Sequence, residues 1–98
     1  VNTENGMAVF EVTREIKKLH PGVRTVCGLS NVSYGMPVRA LINRAFLCLM
    51  IGAGLDAAIL DTSDMKLMSA LHASLVLCNR DPYCANYIKA FREKMLDA

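Results

Sequence analysis

The sequence has no tryptophan, no large excess of charge of either sign and no apolar run long enough to cross a membrane. Eleven basic and nine acidic residues give the 98-residue chain a net charge of +2. That is too small for the basic footprint of a nucleic-acid-binding protein. The apolar run at residues 45–55 has eleven residues, well short of the ~20 that a transmembrane helix needs. We therefore expect neither nucleic acid nor a membrane as a partner.

Cysteine is present, but without the spacing of a metal site. The four cysteines include no Cys-x-x-Cys pair, and the two histidines are far apart in the chain, which argues against zinc. All but the last cysteine lie within apolar segments, where a free thiol behaves as a small hydrophobic group. We therefore predict buried thiols and a reducing, cytoplasmic setting. The four positions are Cys27, Cys48, Cys78 and Cys84.

The amino-terminal residues lack the features of a targeting signal. Residues 1–6 have neither the basic start nor the apolar centre of a signal peptide, and the first residue is valine. We therefore expect a segment cut from a longer chain. Its length allows one domain at most, and its hydrophobic content of 53% predicts that much of it is interior.

Hydrophobic spacing and turn residues predict helices that alternate with short strands. The third helix has four possible caps, Asp61, Thr62, Ser63 and Asp64. For Asp61 we favour capping, although it could also be catalytic at its strand end. Asp81 is expected to cap the fourth helix. Pro37 and Pro82 suit the first turn of a helix. Helices are predicted at residues 7–19, 38–51, 65–77 and from Pro82 onward, and strands at residues 23–28 and 57–60.

This order of elements is that of βα units in a parallel sheet. Two strands alone would leave open sheet edges and an uncovered apolar surface. The sequence therefore predicts either part of a larger α/β protein or a chain that completes its sheet with a second copy, as a homo-oligomer. The second case carries an alternative function, that of a non-catalytic module that associates with itself or with a partner.

Residues 25–33 run from a predicted strand into a polar turn that contains Ser30 and Asn31. Side chains just past the carboxyl ends of parallel strands face the ligand in barrels and wound sheets. Both residues are therefore candidates for ligand binding. The sequence alone leaves a second interpretation open, in which Asn31 only forms the turn by bonding its own backbone.

Several short motifs along the chain carry a family resemblance. They are Gly28-Leu-Ser-Asn-Val-Ser33, Pro37-Val-Arg39, Leu41-Ile-Asn-Arg44, Ala53-Gly-Leu-Asp-Ala-Ala-Ile59, Tyr83-Cys84 and Tyr87-Ile-Lys-Ala-Phe-Arg92. With these motifs the sequence resembles the pterin-binding methyltransferases, in particular methyltetrahydrofolate:corrinoid/iron-sulfur protein methyltransferase and related corrinoid-dependent enzymes. The resemblance implies the carboxy-terminal part of a (β/α)8 TIM barrel, about the last two-fifths of a fold of ~250 residues. Residues 23–28 would form strand 7 and residues 57–60 strand 8, with the last two helices closing the outer ring.

The resemblance also implies a reaction. Such enzymes move a methyl group between N5 of tetrahydrofolate and the cobalt of a corrinoid (cobalamin) that a separate corrinoid protein holds. N5 is a poor leaving group until it gains a proton or a strong hydrogen bond. An asparagine amide can both donate and accept, so it can follow N5 through that change. The family's catalytic asparagine corresponds to Asn31.

The remaining pocket residues are assigned in the same way. Gly28 and Ser30 would line the pterin site, Arg39 would contact the folate, and Ile59 would pack against it. Relatives can have an amide at position 34, where this sequence has Tyr34. The family's main pterin anchors lie on earlier strands without a counterpart here, so the isolated chain is expected to be inactive without the missing amino-terminal part of the barrel.

Overall fold

The computed structural model describes residues 5–97, without the side chains of Asn5 and Asn31. The chain divides into two units, one ending at Leu60 and the other beginning at Asp61. The first unit contains, in chain order, helix α1 (Asn5–Leu19), strand β1 (Val26–Gly28), a 3-10 turn (Ser30–Ser33), helix α2 (Arg39–Gly52) and strand β2 (Ala57–Ile59).

The two strands pair in parallel, with Val26 opposite Ala57 and Gly28 opposite Ile59. Parallel strands need a crossover connection, and α2 provides it. The first unit is thus a β-α-β arrangement preceded by α1, in agreement with the alternating pattern of the sequence. Among the described residues the sheet has these two strands.

The core of the first unit comes mainly from one face of α2 and from the loops at its two ends. Met50 is fully buried and Leu47 is 1% exposed, whereas Leu49 on another face of the helix is 49% exposed. The apolar second half of α2 is therefore covered on one side within the described residues. The buried apolar residues of this unit are Leu29, Phe46, Leu47, Met50, Ile51, Ala53 and Leu55.

Strand β1 and helix α2 begin later than predicted, and strand β2 ends one residue earlier than predicted. Residues 23–25 lie outside β1 because side chains bind their backbone groups: Lys17 donates to the carbonyl of Val23, and Asp56 accepts from the amide of Thr25. Strand β2 ends at Ile59. Helix α2 begins after Val38, which has φ 51° and ψ 55° in the left-handed region, so Pro37 precedes the helix.

An ion pair anchors α1 at the amino-terminal end of the sheet. Lys17 Nζ lies 2.9 Å from Asp56 Oδ2, which also accepts from the Thr25 amide at 2.8 Å. The hydrogen bond from Lys17, then that from Thr25, lowers the pKa of Asp56 from its ordinary 3.8 to about 2. Gly54, with φ +100°, lies against Lys17, since an added Cβ would be 3.1 Å from Lys17 Cγ.

The lowered pKa predicts how this anchor depends on pH. Because the folded-state pKa of Asp56 is about 2, its stabilising contribution is complete above pH ~4 and is lost as pH falls through about 2. We expect Asp56→Asn to destabilise the protein at pH 6 but to differ little from the wild type near pH 1.5. Denaturant unfolding at both pH values measures the free energy of unfolding of the two proteins. The same difference between them at pH 6 and at pH 1.5 would contradict this prediction. High salt should weaken the effect, because the pair is partly exposed.

The second unit contains helix α3 (Met65–Leu77), a 3-10 turn (Pro82–Cys84) and helix α4 (Ala85–Arg92). Helix α3 has the predicted bounds, but Asp64 caps it, with Oδ1 accepting from the Leu67 amide at 3.1 Å. Asp64 is one of the four possible caps, and the preference for Asp61 as a cap is wrong. Its Oδ1 instead accepts from the hydroxyl and amide of Ser63, at 2.6 and 3.0 Å, and these bonds lower the pKa of Asp61.

The last helix begins three residues later than predicted but keeps its predicted cap. Tyr83 and Cys84 both have positive φ, 59° and 56°, so the Pro82 turn does not continue into α4. The Asp81 carboxylate is buried and accepts from the amides of Asn86 and Tyr87 at 3.0 and 2.9 Å. Asp81 therefore caps α4 across the intervening turn. Tyr83 is 97% exposed and does not anchor the helix.

The cysteines agree only in part with the prediction of buried free thiols. All four are free thiols, as expected, but none is buried, and Cys78 is exposed. Partial burial raises the pKa of the Cys27 thiol. Within residues 5–97, no helix combines the length and apolar character that a membrane span requires.

Candidate functional site

The candidate site lies at the carboxyl ends of the two strands. Gly28 ends β1 opposite Ile59, and the amide of the next residue, Leu29, donates to the Ile59 carbonyl at 3.1 Å. Leu29 is 2% exposed, so its side chain fixes the start of the loop in the core. The turn that follows therefore leaves the sheet from a fixed point.

The turn ends at a buried hydroxyl. Ser33 has no exposed surface, and its Oγ lies 2.6 Å from Asn43 Oδ1, to which it donates. The same oxygen accepts from Arg39 Nε at 3.1 Å. A buried hydroxyl without partners would be unfavourable, and these two partners from α2 satisfy it.

Arg39 also binds the start of the turn. Its Nη2 donates to the Ser30 carbonyl at 2.8 Å, and its guanidinium carbon lies 5.8 Å from the centroid of the Tyr34 ring. The planar guanidinium suits such divergent contacts, because its donors point in fixed directions. One side chain therefore bridges both ends of the Ser30–Ser33 turn and stacks on the aromatic ring that follows it.

The structure brings together five of the six residues predicted for the site. Gly28 and Ile59 are neighbours in the sheet register, and Arg39 contacts both Ser30 and Tyr34. The backbone of Asn31 belongs to the turn, but its side chain lies outside what the structure describes, so its predicted role stays a prediction.

The predicted residues border an open surface. Tyr34 is 74% exposed and Ile59 is 73% exposed, although both are large and one is apolar. A Cβ added at Gly28 would meet no described atom within 4 Å. The surface around the turn can therefore accept a ligand without displacement of described side chains.

Two residues of the site were not predicted from the sequence. Ser33 and Asn43 each stood within a motif of the family resemblance, but neither was given a role. The sequence feature that could have pointed to Asn43 is its spacing from Arg39, because residues four apart share one face of a helix. Their common partner, Ser33, could not be identified from spacing.

The chemistry that the site offers is hydrogen bonding from amide, hydroxyl and guanidinium groups. Among residues 5–97, no group of three or more His, Cys, Asp or Glu side chains is placed to hold a metal ion.

Known proteins share sequence with most of this chain. Methylcorrinoid:tetrahydrofolate methyltransferase of Eubacterium limosum is 37% identical over 78 residues, which are 80% of this chain and 29% of that protein. Methionine synthase of Mycobacterium tuberculosis is 41% identical over 69 residues, or 68% of this chain and 6% of that protein. Methionine synthase of Mycobacterium leprae is 42% identical over 62 residues, or 61% of this chain and 5% of that protein.

No profile of a known protein family matches the chain. The chain spans less than a third of the length of each of these relatives. Two of the matches nevertheless cover more than two-thirds of this chain, with identities of 37% and 41%. These matches confirm the resemblance, inferred from the motifs, to the corrinoid-related tetrahydrofolate methyltransferases, and the chain corresponds to a part of these relatives.

Proposed function

We propose that this chain is part of a methyltransferase that moves a methyl group between N5 of tetrahydrofolate and the cobalt of a corrinoid. The observation that carries the proposal is the fixed turn at the carboxyl end of β1, where the motif Gly28–Ser33 leaves a parallel sheet. The relative from Eubacterium limosum, whose name mentions both tetrahydrofolate and a corrinoid, supports the same reaction. The whole enzyme is a methyltransferase, and the isolated chain is inactive.

In this function Asn31 is the catalytic residue. Its amide hydrogen-bonds to N5 and stabilises the charge that develops as the methyl group leaves or arrives. The short turn places this residue three positions after the end of β1 and limits the orientations that its backbone allows. Gly28, Ser30, Tyr34 and Ile59 form the adjoining part of the folate pocket.

The corrinoid supplies a cobalt that accepts or donates the methyl group, and a separate corrinoid protein holds it. We assign no residue of this chain to holding the corrinoid. The direction of transfer follows from the state of that partner, because one site catalyses both directions.

We further propose that the chain is the carboxy-terminal part of a (β/α)8 barrel, with β1 and β2 as its last two strands. Two exposed apolar residues support this, since Val26 is 68% exposed and Ile59 is 73% exposed on neighbouring strands. Parallel sheets are normally covered on both faces. The preceding part of the barrel would supply the missing strands and the main pterin anchors.

The same exposed strands favour a second candidate, a non-catalytic module that pairs with itself or with another chain. Analytical ultracentrifugation of the chain on its own separates the two. A stable dimer that gives no methyl transfer when mixed with the preceding part of the barrel favours the module. A chain that remains monomeric and restores methyl transfer when mixed with the preceding part of the barrel favours the enzyme.

The direct test of the proposed function is methyl transfer by the complete protein. Incubation with 5-methyltetrahydrofolate and cob(I)alamin should give methylcobalamin, followed by its absorbance. Titration of the isolated chain with 5-methyltetrahydrofolate should show no tight binding, because the main pterin anchors are elsewhere. Absence of transfer by the complete protein would overturn the function, and tight binding by the isolated chain would overturn the division of the pocket.

The open space at Gly28 gives a prediction for folate affinity. Gly28→Ala places a methyl group where the ligand is proposed to approach. We therefore expect the complete protein to bind 5-methyltetrahydrofolate with a roughly tenfold weaker Kd, about the cost of one misplaced methyl group. The melting temperature should change little, because the added Cβ would meet no described atom. Gly22→Ala is the matched control, since its Cβ would also meet open space, but in the turn after α1. Equal Kd values for the two variants would contradict this placement.

A further inference from the structure

A single side chain holds both ends of the turn that carries Asn31. Arg39 donates to the Ser30 carbonyl from Nη2 at 2.8 Å and to Ser33 Oγ from Nε at 3.1 Å. Between these two points the turn contains Asn31 and Val32. Any rotation of the turn away from α2 must break at least one of these bonds.

The far end of the turn is the more firmly held. Ser33 is fully buried and donates to Asn43 at 2.6 Å, a short distance for a bond between two oxygens. Arg39 and Asn43 lie on one face of α2, four residues apart. The helix therefore presents a preformed pair of partners to one hydroxyl.

We infer that Arg39 is a positioning residue, which sets the orientation of Asn31 toward N5 by fixing the Ser30–Ser33 turn. This inference rests on the proposed methyl transfer and changes the role of Arg39 from the direct folate contact implied by the family resemblance. Two of the guanidinium nitrogens already bind this chain, and Tyr34 lies against its face.

The backbone before α2 agrees with this role. Val38 is held at φ 51° and ψ 55°, a conformation that is costly for a β-branched residue. Its carbonyl accepts from the Leu41 amide at 3.1 Å. The chain thus turns sharply just before Arg39, which becomes the first residue of the helix and faces the turn.

Kinetics of the complete protein test the inference, with 5-methyltetrahydrofolate as substrate. We expect Arg39→Ala to lower kcat by about tenfold to a hundredfold, as small misplacements of a catalytic group do, with KM within about twofold of wild type. Arg39→Lys should be nearly as slow, because one ammonium group cannot reproduce the two fixed donors. Ser33→Ala removes the bond to Arg39 Nε from the other side, together with the Ser33 bonds to Asn43 and to the Ser30 carbonyl. It should therefore also lower kcat, which covers the case in which Arg39→Ala does not fold.

The competing role is a direct contact between Arg39 and the folate. In that case KM would rise, Arg39→Lys would retain much of the activity by keeping the charge, and Ser33→Ala would have no effect on kcat. That pattern would overturn the positioning role. Arg24→Ala is the matched control, an exposed arginine before the other end of β1, and should behave as wild type.

A double-mutant cycle makes the test specific to Asn31. If Arg39 acts through Asn31, then Arg39→Ala should cause little further loss of kcat in an Asn31→Ala background. Additive losses would overturn the positioning role while leaving the proposed function intact. An unchanged rate for Asn31→Ala alone would overturn the proposed function itself, and the inference with it.

Discussion

Replacement of Asn31 by alanine is expected to lower kcat for methyl transfer by about 10²–10³-fold, the usual loss when a hydrogen bond to a developing charge is removed. The reason is that N5 leaves or accepts the methyl group only when its charge is stabilised. The Kd for 5-methyltetrahydrofolate should change much less, because we propose that the main pterin anchors belong to a preceding part of the barrel. Single-turnover methylation of cob(I)alamin gives the rate, and calorimetry gives the Kd.

A second substitution separates the two functions of the asparagine amide. Asn31→Asp keeps an acceptor but loses the donor when ionised, so its rate should fall at neutral pH and recover partly as the carboxyl group becomes protonated. Asn86→Ala is the matched control, on the first turn of α4. A rate for Asn31→Ala equal to that of the control would contradict the catalytic role.

Loss of the Asp81 carboxylate is expected to lower the free energy of unfolding by ~2 kcal/mol, within the range for an N-cap and for buried donors left without partners. Asp81 is 6% exposed and binds the amides of both Asn86 and Tyr87. These two amides have no partners within their own helix, because they belong to its first turn. Asp81→Ala leaves both unpaired, whereas Asp81→Asn keeps one acceptor and should lose less.

Urea unfolding followed by circular dichroism measures this difference. Asp97→Ala, an exposed carboxylate near the end of the chain, is the control and should change the free energy of unfolding by less than ~0.5 kcal/mol. Equal stabilities of Asp81→Ala and this control would show that the cap does not hold α4.

The elements that depend on local signals were predictable from the sequence. Helix α3 has the predicted bounds, because leucines recur at helical spacing and an aspartate precedes it. Asp81 was identified as the cap of α4 from its place before Pro82. The parallel pairing of β1 with β2 agrees with the order of the elements along the chain.

The errors arise where side chains from distant positions bind the backbone. Strand β1 is shorter than predicted because the side chains of Lys17 and Asp56 hydrogen-bond to backbone groups of residues 23–25, just before the strand. The two side chains are 39 residues apart in the chain. The left-handed Val38 and Cys84 have no sequence signal, since neither residue is glycine or asparagine. Spacing along the chain cannot reveal such contacts.

The family motif proposes Gly28, Ser30 and Asn31 as members of the candidate site, and this stays a prediction. The motif did not reveal the side chains that hold the turn. Ser33 is joined to Asn43 ten residues away, which depends on how the loop returns to α2. The positioning role that we infer for Arg39, in place of a direct folate contact, rests on the same geometry.

The most direct measurement is a crystal structure of the complete protein with 5-methyltetrahydrofolate bound. The proposed function predicts that the Asn31 amide lies within hydrogen-bond distance of N5, about 2.7–3.2 Å. It also predicts that Arg39 remains bonded to the Ser30 carbonyl. A pterin bound away from this turn, or an Asn31 side chain bonded only to its own backbone, would contradict the account.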